Sequence, residues 1–177
     1  GLKTASLSQC RILTVVSKQG SCIEARRWDI DYVIETNDWS LLVFDSEEEI
    51  DAIPQIEELR KLKSGTLVVW QNLDRLKVGT LDFNRSMGKK LDDVRNHLSL
   101  VFHRYICGEP GIKKMILRMN NVLVDSTDPF LSRRNTQVMS DEIMQISGSK
   151  VVVRPYILPH ISDLTSDEIA TLGGKDG

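Results

Sequence analysis

The sequence has few cysteines, no long apolar run and almost no net charge, and each shortage excludes a class of protein. Its three cysteines, Cys10, Cys22 and Cys107, are odd in number and widely spaced, which argues against a disulfide framework and a zinc knuckle. Its longest apolar runs, Ile12–Val16 and Leu67–Trp70, are far shorter than the roughly 20 residues of a membrane helix. We therefore expect a soluble, cytoplasmic protein with no membrane partner. A formal net charge of −2 gives no overall attraction to nucleic acid, so such a partner would need a local basic patch.

The composition of the 177 residues is that of an ordinary folded protein. Hydrophobic residues make up 41% and charged residues 27%, which argues against disorder, and the length suits one domain or two small ones. The first residue is not methionine, and residues 173–177 form a glycine-rich turn sequence. We interpret the sequence as a fragment of a longer protein.

Alternating and β-branched residues predict an antiparallel sheet in the first half of the chain. A slip in the alternation near Arg26 and Arg27 indicates a bulge in the second strand. The acidic run Glu47–Glu49 is expected to be a loop or a helix start. The predicted elements are a helix over Leu2–Gln9, strands over Arg11–Lys18, Cys22–Val33, Trp39–Phe44 and Thr66–Trp70, and a helix from Pro54 to Leu62.

A long amphipathic helix and a second group of strands are predicted for the second half. The helix spans Met87–Ile106, because apolar residues recur there at spacings of three and four. Its apolar stripe consists of Leu91, Val94, Leu98, Val101, Phe102 and Tyr105. The predicted strands are Lys114–Met119, Val122–Val124, Val138–Ile146 and Val151–Ile157. Thr165 and Glu168 have the spacing of a capping box for a last helix, which Gly173 would close. The order of elements predicts an α+β fold with a boundary near the long helix.

Patterns for metal binding or nucleophilic catalysis are weak. His103 and Cys107 share one helix face but are only two ligands, so we assign no metal site and no catalytic residue. The G-K-K run at 88–90 lacks the glycine spacing and the hydroxyl residue of a phosphate loop. Arg133 and Arg134 form a small basic spot that we interpret as solvated.

The first residues have a pattern that suits phosphate. Gly1 stands at a predicted helix start and is followed by Lys3 and by the hydroxyls of Thr4 and Ser6. A helix start offers unpaired N–H groups and the positive end of the helix dipole. Glycine permits close backbone approach, and lysine adds a full positive charge. Most helix starts of this kind bind nothing, so the pattern needs further support.

Two longer motifs provide that support. The run G-L-K-T-A-S-L-S-Q-C-R at the start and the run S-G-T-L-V-V-W-Q-N-L-D-R-L from Ser64 together resemble the GHKL superfamily of ATP-binding proteins. That superfamily groups gyrase, the large heat-shock chaperone, histidine kinases and MutL, and the nearest likeness is to MORC-like bacterial ATP-binding proteins. The resemblance implies ATP as the ligand, with Gly1, Leu2 and Lys3 at the end of a glycine box. It also implies that Thr66 lies near the adenine. The cofactor-binding residues implied by the resemblance are Gly1, Leu2, Lys3, Thr4 and Thr66.

The resemblance also implies two domains and a missing front half. Residues 1–86 correspond to the back half of a GHKL-type α/β sandwich, in which a mixed or antiparallel sheet carries helices on one face. Residues 87–177 correspond to a connecting helix and part of a transducer-like α+β domain. The family's asparagine-bearing helix, which supplies the magnesium ligand and the catalytic glutamate, and its D-x-G-x-G segment lie upstream of the glycine box. Mg²⁺ and hydrolysis are therefore expected only in the intact parent protein.

Two functions from different classes remain open. In the first, ATP orders residues 1–4 and shifts the second domain through the long helix, in a parent that is able to form a homodimer. In the alternative, the chain is a non-catalytic protein-interaction or regulatory module on the same fold. A role with nucleic acid rests on family analogy alone.

Overall fold

The chain folds as two units that each have their own secondary structure. The computed structural model describes residues 1–74, 83–132, 134 and 136–172. The two units are Gly1–Leu81 and Asp82–Gly177. Both helices and antiparallel strands are present, so the predicted α+β class is confirmed.

A four-stranded antiparallel sheet organises the first unit, with the spatial order β3-β2-β1-β4. Its strands are β1 (Ile12–Gln19), β2 (Cys22–Asp29), β3 (Leu42–Val43) and β4 (Ser64–Gln71). β1 lies in the middle and pairs along its whole length with β2 on one side and β4 on the other. Gly20 turns the chain between β1 and β2 with φ 61, a left-handed conformation that glycine adopts without strain.

Four short helices accompany this sheet. They are α1 (Leu2–Leu7), α2 (Ile30–Thr36), α3 (Glu47–Asp51) and α4 (Ile56–Arg60). The acidic run is a helix start, because Ser46 and Glu49 form a capping box at α3. Hydrogen bonds from the backbone N–H groups of Asp45 and Ser46 lower the pKa of Glu49. Acidic residues in the first turn also suit the positive end of the α3 dipole.

The core lies between one face of the sheet and the helices α3 and α4. Side chains alternate between the two faces of a strand, so Val16 and its partners Ala25 and Leu67 point to the same side. The buried cluster consists of Val16, Ala25, Ile50, Ile53, Ile56 and Leu59. We call this the packed face. The other face carries Leu13, which is only 2% exposed, and Trp28. Its three β4 residues, Thr66, Val68 and Trp70, are exposed. We call it the open face.

The second unit begins with two consecutive helices and continues in short antiparallel pairs. The helices are α5 (Phe83–Val101) and α6 (His103–Cys107). The strands are β5 (Arg118–Met119), β6 (Val122–Leu123), β7 (Gln137–Val138), β8 (Glu142–Ile146), β9 (Ser149–Val153) and β10 (Tyr156–Ile157). β5 pairs with β6, β8 with β9, and β10 with β7. A 3₁₀ turn (Ile161–Asp163) and α7 (Ser166–Thr171) follow, and the predicted capping box of Thr165 and Glu168 is present. Gly173 lies outside the described residues.

The second strand is shorter than predicted and has no bulge. The register from Ile12–Asp29 to Gln19–Cys22 is continuous, so the apparent slip in alternation has another cause. β2 carries apolar residues on both faces, with Ala25 on the packed face and Trp28 on the open face. The strand ends at Asp29 because this side chain accepts hydrogen bonds from two N–H groups of the next turn and starts α2.

Other predicted elements are also shorter or divided. The third strand covers only Leu42–Val43, and the helix after Pro54 begins at Ile56. The long helix begins at Phe83 and breaks at Phe102, where φ −100 and ψ 13 depart from helical values. Its apolar stripe is only partly covered, because three of its members are exposed. These are Val94, Val101 and Tyr105.

Two predicted strands of the second half are each divided in two. The stretch predicted as Val138–Ile146 holds the end of β7 and all of β8. The stretch predicted as Val151–Ile157 is interrupted before β10, where Pro155 has no N–H to donate to a ladder. Of the predicted strand Lys114–Met119, only Arg118–Met119 is paired.

The packed face predicts unequal costs for two leucines that are close in sequence. Leu59 is 3% exposed and Leu62 is 52% exposed. Leu59→Ala should lower the free energy of unfolding of the first unit by about 2–5 kcal/mol, because it removes buried methyl groups and leaves a cavity. Leu62→Ala should change it by about 0.5 kcal/mol or less. Urea titration followed by tryptophan emission measures both, since all three tryptophans lie in the first unit. Equal costs would contradict the assignment of the core.

Candidate functional site

The start of α1 is open to solvent. Gly1 is the N-cap of the helix, and its carbonyl accepts a hydrogen bond from the N–H of Ala5 at 3.1 Å. A methyl group in place of the glycine hydrogen would meet no atom within 4 Å. Leu2, which follows, is 54% exposed. A ligand can therefore approach the backbone at Gly1 without moving described side chains.

The two hydroxyls that follow Lys3 have different environments. Thr4 is exposed, whereas Ser6 is fully buried and its Oγ has no hydrogen-bond partner among the described residues. The Ser6 carbonyl accepts from the Cys10 thiol at 3.2 Å. Burial raises the pKa of Cys10, which keeps the thiol protonated and able to donate. Only Thr4 remains as a hydroxyl that an external ligand can reach.

The Lys3 ammonium lies against two tryptophan rings. Its Nζ is 4.7 Å from the ring centroid of Trp28 and 5.5 Å from that of Trp39. The two rings meet edge to face, with centroids 5.5 Å apart and an interplanar angle of 66°. Both distances are within the range of a cation–π interaction. We call Trp28 and Trp39 the tryptophan cradle.

Thr66 is on the same face of the sheet as the tryptophan cradle but at the other end of the strands. Thr66 lies opposite Ser17, and Trp28 lies opposite Leu13, four residues earlier on β1. Four residues of a strand span about 13 Å. The predicted phosphate-side residue Lys3 and the predicted adenine-side residue Thr66 are therefore not in contact, and only an elongated ligand could reach both.

A charge network lies at the start of β1, the central strand of the sheet. The Arg11 guanidinium forms ion pairs with the carboxylates of Asp31 and Asp74, the latter at 3.4 Å. The hydrogen bond from Arg11 lowers the pKa of Asp31, which stays ionised. Asp31 therefore links α2 to the start of β1, and Asp74 links the segment after β4 to the same point.

An open cleft of about 830 Å³ lies within the second unit. One wall is aromatic, with Phe130 and Tyr156 stacked at a centroid distance of 4.2 Å and His103 edge-on to Phe130 at 6.0 Å. The Nδ1 of His103 is 2.7 Å from the carbonyl of Leu100, so a neutral ring carries its proton there. Arg134 and Glu168 form an ion pair at the rim, at 2.8 Å.

His103 and Cys107 both line this cleft, but they form no reactive pair. The Cys107 thiol donates to the carbonyl of Arg104 at 3.4 Å, and the Nε2 of His103 is buried with no partner among the described residues. The described part of the chain contains no group of three or more histidine, cysteine, aspartate or glutamate side chains that could hold a metal ion. Arg133, half of the predicted basic spot, lies outside the described residues.

No helix within residues 1–74, 83–132, 134 and 136–172 combines the length and the apolar character that a bilayer crossing requires.

Comparison with known protein families gives a match that lies within the first unit. Residues 1–66 match the sequence model of a family described as histidine kinase-, DNA gyrase B-, and HSP90-like ATPase. The match includes α1, the β1–β2 hairpin and the start of β4, and it supports the GHKL superfamily for this part of the chain. Comparisons with curated proteins and with solved structures gave no match.

The tryptophan cradle and the cleft were not predicted from the sequence. Trp28 was visible as the residue that breaks the alternation of β2, and a bulge was the wrong interpretation of that signal. Trp39 lies outside any strand, in the connection between α2 and β3, so no periodicity identifies it. The cleft joins residues from α6, a loop and β10, which no local pattern brings together.

Asp128 organises the loop of the cleft, and this predicts a pH-dependent local stability. Its two carboxylate oxygens accept from the N–H groups of Phe130 and Ser132, both at 2.8 Å. Burial alone would raise the pKa of Asp128, but these hydrogen bonds outweigh it and the pKa is lowered from 3.8. The stabilisation is therefore present above pH 3.8 and is lost as the pH falls through the folded value.

Hydrogen exchange at the two amides measures this effect. In the unmodified chain, the protection factors of Phe130 and Ser132 should fall as the pH is lowered below 3.8. Asp128→Asn keeps one acceptor oxygen, so one of the two amides should lose protection at every pH and the other should show no titration. Equal protection of both amides in the two proteins at neutral pH would contradict the assignment.

Proposed function

We propose that this chain supplies part of the ATP site of a MORC-like GHKL ATPase. The observation that carries the proposal is the family match over residues 1–66, which includes the glycine-box residues Gly1, Leu2 and Lys3. In this proposal the phosphates of ATP lie at the start of α1, near Lys3 and Thr4. The adenine lies toward Thr66 at the other end of the open face.

The geometry of the open face supports this arrangement. ATP is elongated, with its base at one end and its negative charge at the other. The exposed Thr66 and the Lys3 ammonium lie at opposite ends of one face of the sheet, and the backbone at Gly1 is accessible. α3 and α4 cover only the packed face, so they do not obstruct the ligand.

The described residues do not fit a magnesium ion by themselves. They contain no cluster of three or more candidate ligands, and the proposed site has hydroxyl and ammonium groups rather than carboxylates. In GHKL proteins the magnesium ligand and the general base are supplied upstream of the glycine box. We therefore propose that this chain binds ATP without hydrolysing it and that the parent protein is the ATPase.

We also propose how binding is transmitted. Residues 1–86 form the nucleotide-binding part and residues 87–177 form the connecting helix and a partial transducer-like domain. ATP would order residues 1–4, and α5 would carry the change into the second part. The break at Phe102 gives that helix a place to bend, since irregular backbone within a helix localises a kink.

Lys3→Met tests the phosphate contact. Methionine keeps the length of the side chain and removes its charge. A charge-assisted hydrogen bond contributes about 1.5–3 kcal/mol, so ATP affinity should fall about ten- to over a hundredfold while adenosine affinity stays the same. Calorimetric titration with both ligands measures the difference. Lys61→Met, which removes an exposed lysine paired with Glu58, is the matched control and should change neither affinity. Equal losses for ATP and adenosine would show that Lys3 has a structural role.

Thr66→Val tests the adenine side. The two side chains have nearly the same shape, and Thr66 is exposed, so the melting temperature should change little. If the hydroxyl contacts the base directly or through water, affinity for both ATP and adenosine should fall by about 1 kcal/mol. Unchanged affinity for adenosine would restrict Thr66 to its role as a strand residue.

A further inference from the structure

We propose that Trp28 and Trp39 are positioning residues for the nucleotide: they hold the Lys3 ammonium in place while its N–H groups stay available to phosphate. This inference rests on the proposed function, since it assigns a role to residues that surround a proposed phosphate ligand. Neither tryptophan belongs to the glycine box or to the strand that carries Thr66.

The geometry of the cradle suits a single cation. Aromatic rings present a negative face, and the Nζ of Lys3 lies 4.7 Å and 5.5 Å from the two centroids. Because the rings meet at 66°, they form a corner rather than a flat wall. The ammonium therefore has two aromatic neighbours on one side and an open side that faces away from them.

The cradle joins a fixed ring and an accessible ring. Trp28 belongs to β2 and lies in register with Leu13, which is only 2% exposed, so the sheet fixes its backbone. Trp39 is 61% exposed and follows α2, which ends at Asn37 in a left-handed conformation with φ 50. Trp39 can therefore be truncated without opening the core.

The charge of Lys3 is not neutralised in the cradle. Among the described residues no carboxylate forms an ion pair with Lys3, whereas Arg11 and Arg60 each have two carboxylate partners within 3.4 Å. An aromatic ring holds a cation without cancelling its charge. An ammonium group also has three N–H donors, so contact with the rings leaves donors for an anionic ligand.

Holding Lys3 in advance should raise affinity for phosphate. A free lysine side chain loses much of its rotamer entropy when a ligand fixes it. Rings that restrict the side chain before binding remove part of this cost, which is the effect of preorganisation. Loss of the cradle should therefore weaken ligands that carry phosphate and leave adenosine unaffected.

A double-mutant cycle between Lys3 and Trp39 tests the proposal on the full 177-residue chain. The variants are Trp39→Leu, Lys3→Met and the pair, each titrated with ATP and with adenosine by calorimetry. Trp39→Leu should weaken ATP about two- to fivefold, the range of an exposed cation–π contact. In the Lys3→Met background the same change should have no further effect, because the cation is gone. Trp39→Phe, which keeps an aromatic face, should restore most of the affinity.

Tyr32→Leu is the matched control. Tyr32 is an exposed aromatic residue of the first unit that belongs to α2 rather than to the open face, and no lysine or arginine lies over its ring among the described residues. It should leave the affinity for ATP unchanged. A second readout needs no ligand: ring currents should shift the Cε proton resonances of Lys3 upfield in the unmodified chain, and Trp39→Leu should reduce that shift.

The possible failures are distinguishable. If the unmodified chain does not bind ATP, the proposed function is wrong and this inference falls with it. If the chain binds ATP but Trp39→Leu leaves the affinity unchanged, or weakens ATP and adenosine equally, only the cradle is overturned. The same holds if Trp39→Leu has its full effect in the Lys3→Met background, since the ring would then act independently of the cation.

Discussion

The alternation of side chains along β1 is the constraint on which the first unit depends. β1 is paired on both sides, so its backbone groups are hydrogen-bonded to β2 and β4, and successive side chains point to opposite faces of the sheet. Val16 belongs to the packed face, while Leu13 lies on the open face between its register partners Trp28 and Trp70. A slip of one residue would exchange the two faces, put Val15 or Ser17 in the place of Val16 and move Val16 out of the core. A single strand register therefore separates the packed face from the face on which we propose that the ligand binds.

How the unit holds its cations decides which of them can serve a ligand. Arg60 is occupied by the carboxylates of Glu47 and Asp51, and Arg27 reaches the hydroxyl of buried Thr14 at 2.9 Å and the ring of Phe44 at 4.8 Å. These arginines satisfy groups within the fold. Lys3 instead is held by rings that leave its charge uncompensated. In the proposed function, this difference in partner leaves Lys3 available to an anionic ligand.

The sequence predicts correctly the elements that depend on neighbouring residues. Its predictions are wrong where contacts between distant residues determine the structure. The β1–β2 hairpin, the start of α3 and the capping box at Thr165 depend on neighbours within a few residues, and all three are present. The predicted second strand extends past Asp29 because alternation alone does not show that this aspartate ends the strand and caps α2. No glycine or proline stands at the helix break at Phe102, so the sequence gives no signal for it. For the candidate site, the resemblance proposes Gly1, Lys3 and Thr66, which stay predictions, whereas the contact of Trp28 with Trp39 on either side of α2 depends on tertiary structure.

The shortness of α1 links its folding to whatever binds there. A helix of six residues is far below the length at which isolated helices are stable, so tertiary contacts must hold it. Among the described residues these contacts include the burial of Ser6, the hydrogen bond from the Cys10 thiol and the cation–π contact of Lys3. A ligand that binds only the helical form stabilises that form in proportion to its saturation. In the proposed function, an anion at the start of α1 stabilises the segment that presents Lys3, so the second group of the same ligand meets a site already formed. Cooperation between the two ends of an elongated ligand then needs no movement of the sheet, because the ligand stabilises α1 itself.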